Sequence, residues 1–509
     1  MAHRILGFIG ICVLATICQA QVSTFDLSKY KLADVKYKSF DNYFDNTSYG
    51  DKSNDWKTPK PNSKYLSSSF RYSGYFYTNF NSRKRQTVNT FNISTNGNRR
   101  TTEINDRTSS TTLRYDWSPS FSQFYSNRFY YKNNRFFEYQ VMSKWLYEQY
   151  RNEAYSDELL TTREVHNDYS GSVGTAFKYG KGRLEQVDDA RQATFLLDYL
   201  QRVGRCRTDI SDQKILELAT FITTLRNRRF FDTRLLKIWQ IEQLDSFFQH
   251  HDLATNSDAK YFATLTDYWS FGATPTRFSG NRLAMAIYPA VGYYTNEYRN
   301  TGGGNLYTYN SEGQYNRFFW GFEFDHEKPI SQKWQHSINS QIYWGSIRFN
   351  SRYKYSYNND YSEWSPFKEK GIQLHVNNGI GFYPNTRTAI TLNTRFTHLT
   401  YNHEDNEIFI WYPKSFGLAL NSLENSFDIQ YYISPKFRIN WSFSNQIRKV
   451  QKANDTSLDG PLQIAGLSIY DQFLEPSQLA QYPLSQSQFG KGGSFYSFYS
   501  YLTVSYALF

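Results

Sequence analysis

The sequence predicts an all-β transmembrane barrel of about 12 antiparallel strands, within a range of roughly 10–14, carrying one inserted α-helical domain. Three observations predict it. Long segments alternate apolar and polar residues with period two. Tight turns and long polar connections alternate along the chain. A low mean hydropathy of −0.68 coexists with an aromatic content of 19%. Disordered chains lack aromatics, and no segment after the first residues offers the roughly 18 apolar residues of a membrane helix. In a barrel only alternate residues face lipid, so an apolar outer face is compatible with a polar average. The net charge of +11 is scattered through strands and loops, which argues against a nucleic-acid partner and for lumen and rim surfaces that attract anions.

The first element is an export signal. Met1-Ala2-His3-Arg4 is a basic start, an apolar stretch follows to Ile17, and Cys18-Gln19-Ala20 supplies small residues for cleavage after Ala20. The stretch is shorter than the roughly 20 residues of a membrane span. A lipoprotein signal competes poorly, because Ile11 and Ile17 precede Cys12 and Cys18 where a small residue is wanted. With residues 1–20 removed, Cys206 is the one cysteine left, so no intramolecular disulfide or cysteine-based metal site forms, and Cys206 is expected to be a packing residue. Residues 21–64 are polar with weak periodicity and are expected to be an extended periplasmic lead-in.

The barrel is then read in two parts. Strands near 66–95, 109–132, 135–151 and 162–180 occupy 65–180. Strands near 281–298, 314–328, 332–352, 369–383, 386–402, 414–433, 436–451 and 493–509 occupy 271–509. The alternation is plain at Phe318, Trp320, Phe322 and Phe324 against Phe319, Gly321, Glu323 and Asp325. It recurs at Phe437, Ile439, Trp441 and Phe443 against Arg438, Asn440, Ser442 and Ser444. Tight turns fall at Asn133-Asn134, Lys328-Pro329, Pro384-Asn385 and Ser434-Pro435. Long connections are expected at 96–108, 152–161, 299–312, 353–367, 403–413 and 453–492. Short periplasmic turns and long outer loops are the ordinary asymmetry of membrane barrels. An even strand number puts both ends in the periplasm. Two places break the pattern: a face switch between Leu420 and Leu423, which calls for a bulge, and the stretch 118–126 around Pro119.

Residues 181–270 change period. Val187, Ala190, Ala193, Leu197, Leu200 and Val203 recur at helical spacing, with Asp188 and Asp189 in the first turn and Gly204 at the end. Further helices fit 212–227, 232–250 and a shorter segment holding Tyr261, Phe262, Leu265 and Trp269. Four such helices can share a small core. No repeat of about 34 residues supports a tetratricopeptide array. Gly180 and Gly182 permit a sharp exit from the barrel but lack the rest of a phosphate-binding loop.

The chain stops at Phe509 after Leu502, Val504, Tyr506 and Leu508 on one face. This resembles the terminal strand of bacterial outer-membrane barrels, whose closing aromatic is read during assembly. The resemblance makes Tyr506 and Phe509 the barrel-assembly signal, and implies outer-membrane lipid and the barrel-assembly machinery as partners. That family places an aromatic where Ala507 stands here, with Tyr506 one place further in. The aromatic content and the start at Gln21 are similar to barrels of the Bacteroidota. The segment from Tyr179 to Arg191 resembles a strand-to-helix junction in uncharacterised, porin-like members of that group, and it carries no activity with it.

Candidate pore-lining residues are Arg282, Glu323, Asp325, His375, Arg395, Arg438 and Arg448, all on expected lumen faces. Opposed charges there could set up a field across an open pore, or be a salt-bridged interior that fills a narrow barrel. His403, Glu404, Asp405 and Glu407 read as a solvated loop before a cation site, and His250, His251 and Asp252 as a helix cap before a metal site. Arg202, Arg205, Arg207, Arg226, Arg228 and Arg229 give the helical domain a basic character, either a solvated face or a surface for anionic lipid or a periplasmic protein. No cofactor or metal is implied, and no Ser-His-Asp constellation can be assembled. The leading expectation is a porin-like channel for small polar solutes. A non-conducting anchor whose helical domain binds a periplasmic partner comes second and a membrane-embedded hydrolase third. A transporter of about 22 strands would need more strands than the chain supplies.

Overall fold

A β-strand satisfies its backbone N–H and C=O groups by pairing with a neighbouring strand. This chain pairs each strand with the next. The computed structural model describes residues 25–53, 62–105, 109–157, 159–227, 233–271, 276–302, 305–355, 361–404, 417–434, 437–452 and 493–506. The strands are β1 Val35–Ser53, β2 Asn62–Asn81, β3 Arg85–Asn105, β4 Ser109–Tyr130, β5 Arg135–Ser156, β6 Leu159–Gln186, β7 Phe278–Gly302 and β8 Asn305–Pro329. They continue as β9 Trp334–Tyr355, β10 Tyr361–Phe382, β11 Thr388–Glu404, β12 Gly417–Ser434, β13 Phe437–Lys452 and β14 Gly493–Tyr506. All are antiparallel and lie in chain order in one sheet of 14 strands. Among the described residues no ladder joins β14 to β1. Between β6 and β7 stand four helices, α1 Asp188–Arg202, α2 Asp212–Asn227, α3 Thr233–His250 and α4 Ala259–Phe271. The fold class is therefore the expected one, a mostly-β chain with a small helical insertion.

The strand count is higher than the twelve read from the sequence, for two reasons. The segment 66–95 is two strands, β2 and β3, joined by the turn 82–84, where Ser82 N–H donates to Arg85 O at 2.8 Å. That turn has neither Gly nor Pro to betray it. The lead-in 21–64 contains β1, whose aromatics Tyr37, Phe40, Tyr43 and Phe44 fall on both parities and mask the period. β1 nevertheless pairs with β2 along its whole length, from Val35 opposite Asn81 to Ser53 opposite Ser63. The expected long connections at 96–108, 152–161, 299–312 and 353–367 are largely absorbed into strands. Strands run from 14 to 28 residues, whereas roughly 9–11 cross a bilayer, so several hairpins continue past any membrane. The bulge expected between Leu420 and Leu423 is absent. Both ladders of β12 run through it in continuous register, with Leu420 opposite Leu399 and Leu423 opposite Phe396. Leu420 simply faces inward, where it packs on Leu399 and its neighbours. Around Pro119 the strand persists, and the β4–β5 ladder is interrupted only at 118–119, where proline has no N–H to give. The signal 1–20, the loop 453–492 and Phe509 lie outside the described residues, and Tyr506 pairs with Phe437 at the end of β14.

The exit into the helical domain depends on Gly182. Its φ is +105°, and a Cβ there would lie 2.0 Å from Asn281 O. Gly182→Val is therefore expected to cost at least about 1–3 kcal/mol from backbone strain alone. Gly50→Ala, whose added Cβ would meet nothing closer than Leu66 Cδ1 at 3.6 Å, should be neutral. The folded fraction across a urea series, followed by heat-modifiable gel mobility, checks both.

Candidate functional site

The sheet has inverted polarity. On β8, Phe318, Trp320, Phe322 and Phe324 point outward and are 50%, 43%, 43% and 38% exposed, while Glu323 and Asp325 between them point inward and are 3% and 6% exposed. The same outward apolar face continues through Trp145, Phe177, Leu283, Met285, Ile372, Leu392 and Trp441. Buried polar residues on the other face include Glu138, Lys178, Gln373, Thr397 and Ser422. A water-soluble sheet would reverse this arrangement.

The inward carboxylates and cations form one paired cluster across five strands. Arg128 on β4 meets Glu138 on β5 at 2.6 Å, and Ser126 Oγ donates to the same carboxylate at 2.7 Å. Lys178 on β6 sits beside Glu138 in register and bonds Glu323 on β8 at 2.8 Å. Tyr343 donates to Glu323 at 2.8 Å, and Tyr288 donates to it as well. Arg282 on β7 pairs with Asp325 at 2.6 Å, and Asn339 Nδ2 donates to Asp325 at 2.5 Å. Room for these side chains comes from small inward neighbours, Ala176, Ala284, Ala286 and Gly321. Beside the cluster, Tyr315, Phe319, Tyr343, Ile347 and Leu399 make an apolar inner patch.

The sequence-chosen residues divide accordingly. Arg282, Glu323 and Asp325 come together. Arg395 stands elsewhere and meets Glu424 at 3.5 Å. His375 Nδ1 is 3.3 Å from Thr397 Oγ1. Arg438 lies opposite Ser505 and Arg448 opposite Ser422 in register. Sequence reading missed Glu138 and Lys178, although parity could have found Lys178, which alternates with the outward Phe177 and Tyr179. His403 and Glu404 end β11, and Asp405 and Glu407 lie outside the described residues.

At the end bearing the tight turns, the helical domain is bolted to the sheet. Arg277, which immediately precedes β7 and is 1% exposed, is the centre of this dock. Its guanidinium donates to Gln332 O at 2.5 Å, Ser331 O at 2.9 Å, Trp334 O at 2.7 Å and Gln335 Oε1 at 3.1 Å. Its backbone N–H donates to Asp188 Oδ1 at 2.7 Å. Arg277 and Arg191 both lie over the Tyr383 ring, at 5.2 and 5.8 Å. Burial pushes the Arg277 guanidinium down to about 10 and raises the Asp188 carboxyl above its ordinary range. Gln332 Nε2 donates to Thr194 of α1 at 3.1 Å, and Arg387 pairs with Asp267 of α4. From β6, Arg183 donates to Asn81 Oδ1 and Ser82 O, both at 2.9 Å, although three strands lie between them in sheet order. The sheet therefore curls, and the helical domain lies against turns from widely separated strands. No periodic signal marks Arg277, because it sits in the linker between helix and strand.

Within the domain, α1, α2, α3 and α4 share a core with Phe25, Leu27 and Tyr30 from the N-terminal segment. Tyr30 OH, Thr223 Oγ1 and Asp189 form a chain of 2.6 Å hydrogen bonds, and Arg226 completes it. Helix α1 ends at Gly204, φ +69°, where Arg205 N–H donates to Leu200 O at 2.8 Å. The basic residues are internally paired: Arg202 with Asp198, Arg205 with Asp258, Arg207 with Asp252 and Arg226 with Asp189. Arg228 and Arg229 lie outside the described residues. Cys206 is buried, and burial pushes its thiol up to about 12. His251 stacks on Phe247 and meets Lys214 at 2.8 Å.

Two outcomes are expected. Lys178→Met leaves Glu323 buried without its cation and should cost about 3–5 kcal/mol, whereas Lys178→Met with Glu323→Leu should recover most of it. Denaturant titration in detergent micelles reads both. Separately, hydrogen bonds from Arg205 hold Asp258 at about 2, below its usual 3.8, and Asp258 caps α4 by accepting from Tyr261 N–H at 3.0 Å. A lowered carboxylate stabilises above its unfolded value and loses that contribution as pH falls through its folded value. Amide exchange at the start of α4 should thus rise between about pH 4 and 2, and Asp258→Asn should remove this pH dependence.

No protein-family model matches the sequence, and no curated protein matches it. Among solved structures, the chain is similar to the ferric yersiniabactin uptake receptor FyuA from Yersinia pestis, at 6% identity and a TM-score of 0.33. The match covers 86% of this chain and 63% of the receptor, so the chain spans less than two thirds of that receptor's length.

Proposed function

We propose that the protein is an integral outer-membrane β-barrel, closed by β14 meeting β1, that passes small polar solutes under control of its helical domain. The inverted polarity of the sheet carries the membrane reading: an apolar aromatic face turned outward and charged groups buried behind it. The tight-turn end is assigned to the periplasm, as in barrels generally. The Bacteroidota-type pattern of the sequence and a terminal strand read by the barrel-assembly machinery belong to the same reading. A barrel of about 8 strands can be filled by its own side chains, so one of 14 strands needs something further to seal it. The helical domain, held by Arg277 against the β8–β9 turn and by Arg387 against the β10–β11 turn, supplies that seal.

A second reading is a non-conducting anchor. It is favoured by the ion-paired cluster and by the inner patch of Tyr315, Phe319, Tyr343 and Leu399. Under it, the helical domain presents a surface to a periplasmic protein.

Planar-bilayer conductance separates the two. The chain from Gln21 is expected to show small or rare steps. Arg387→Ala with Gln332→Ala, which removes the ion pair to Asp267 of α4 and the hydrogen bond to Thr194 of α1, should raise conductance or open probability several-fold. Insertion without conductance in both, and in a chain lacking 183–270, would remove the channel reading in favour of the anchor.

A further inference from the structure

The inner face of the sheet is of two kinds. From β5 to β9 it is packed: Glu138, Lys178, Phe319, Glu323, Asp325 and Tyr343 are all buried. From β10 to β13 much of it is only half-buried, and its chemistry changes. Asn339 marks the boundary, because it bonds Asp325 of the cluster at 2.5 Å and stands opposite Asn377 of β10. Beyond it, one inner row runs Asn377, Arg395, Glu424 and Gln446, with Arg395 and Glu424 paired at 3.5 Å. The next row toward the tight turns runs Gly379, Asn393, Ser426 and Ser444. Over Gly379, Ser337 Oγ and Asn393 Oδ1 lean in from both neighbouring strands, to 2.5 and 2.7 Å from where a Cβ would stand. Between these rows and the turns, the described inner side chains of β10 to β13 include one charge of each sign, Asp428 and Arg438, among amides, hydroxyls, glycine and alanine. At the foot of this wall Arg387 pairs with Asp267 of α4, so its tight-turn end lies against the helical domain. Amides and hydroxyls both donate and accept, and such a wall exchanges hydrogen bonds with a solute that does the same. An ion gives up hydration there and gains little, since the charges at the centre of the wall are already paired.

We propose that the inner wall of β10 to β13 is the solute path, and that it selects neutral polyhydroxylated solutes, sugars and polyols, over ions of the same size. This rests on the channel reading above and names the solute class for it. Asn377 and Asn393 are the contact positions: they flank Gly379 on adjacent strands, one inner step apart, and both are half-buried. Inner steps are about 7 Å along a strand, so the two amides reach hydroxyls of one small polyol.

Sorbitol, gluconate and N-methylglucamine share one polyol chain and differ in charge. Phosphatidylcholine vesicles holding the chain from Gln21, with and without Arg387→Ala and Gln332→Ala to loosen the dock, are placed in isotonic solutions of each, and initial swelling is read by light scattering. Sorbitol should enter several-fold faster than either ion. Asn377→Leu with Asn393→Leu should slow sorbitol about fivefold, the loss of roughly one net hydrogen bond. Asn377→Ser with Asn393→Ser, which keeps hydrogen-bonding groups, should retain most of the rate. Asn378→Leu, on the outward face beside Asn377, should change nothing. Heat-modifiable mobility confirms insertion of each form. Entry of gluconate or N-methylglucamine as fast as sorbitol overturns the proposal, as does an inserted leucine variant that swells like its parent. Entry of all three solutes without preference refutes this inference alone. Inserted protein that admits no solute, even with the dock loosened or residues 183–270 removed, refutes the channel reading and this inference with it.

Discussion

Backbone hydrogen bonding between neighbouring strands is the constraint on which the rest of this structure depends. Each strand needs a neighbour, because a buried amide left unpaired costs about 1–3 kcal/mol. The continuous ladders from β1 through β14 answer that demand. Once the ladders are fixed, period two forces a choice of face for every side chain. Phe318, Trp320, Phe322 and Phe324 take one face of β8, so Glu323 and Asp325 have to take the other. The inner charges are thus a consequence of the outer apolar band as much as a choice of their own.

Inward charges then need partners of their own. Glu323 has an ammonium and two phenols, Glu138 has a guanidinium and a hydroxyl, and Asp325 has a guanidinium and an amide. Such groups balance desolvation with attraction and hydrogen bonds, so their net stabilisation is small while the loss of one partner is severe. The cluster therefore links β4 to β8 through partners whose individual loss costs more than their presence adds. The small residues Ala284, Ala286 and Gly321 belong to the same solution, since larger ones would keep the opposed charges apart.

What could be read from the sequence followed the strength of its periodicity. β8, β10 and β13 alternate cleanly, and both their positions and their inward residues were legible. β1 was not, because Tyr37, Phe40, Tyr43 and Phe44 are apolar on both parities and only pairing with β2 makes the segment a strand. Leu420 looked like a change of register because apolar residues were assumed to face outward. In fact the inner face has an apolar patch of its own, and Leu420 joins it. Arg282 and Asp325 could be chosen from parity, but that they touch is a matter of register between β7 and β8, which composition does not encode. Arg277 was illegible for a different reason: its partners are backbone carbonyls of the β8–β9 turn, far away in sequence and without residue-specific signature.

The position of the helical domain gives it a mechanical character. Its two ends leave adjacent strands, with Gln186 opposite Phe278 and Val187 N–H donating to Arg277 O at 3.0 Å. An insertion whose ends meet can keep its own core while moving as a unit. The core of Leu200, Leu218, Ile222, Leu244 and Leu265 needs nothing from the sheet, although it also takes Leu27 and Tyr30 from the N-terminal segment. Contact with the sheet includes hydrogen bonds and ion pairs through Arg277, Gln332, Arg387 and Asp188. Polar bonds of this sort can be exchanged for water when the two surfaces part, whereas an apolar core cannot be opened without losing its burial. The weaker boundary of the molecule therefore runs between helices and turns. The N-terminal segment limits how far that boundary can open, because Phe25 to Tyr30 lie in the helical core while β1, a few residues on, is already part of the sheet. The domain is thus tied to the sheet at two places, by the adjacent strands β6 and β7 on one side and by the N-terminal segment on the other.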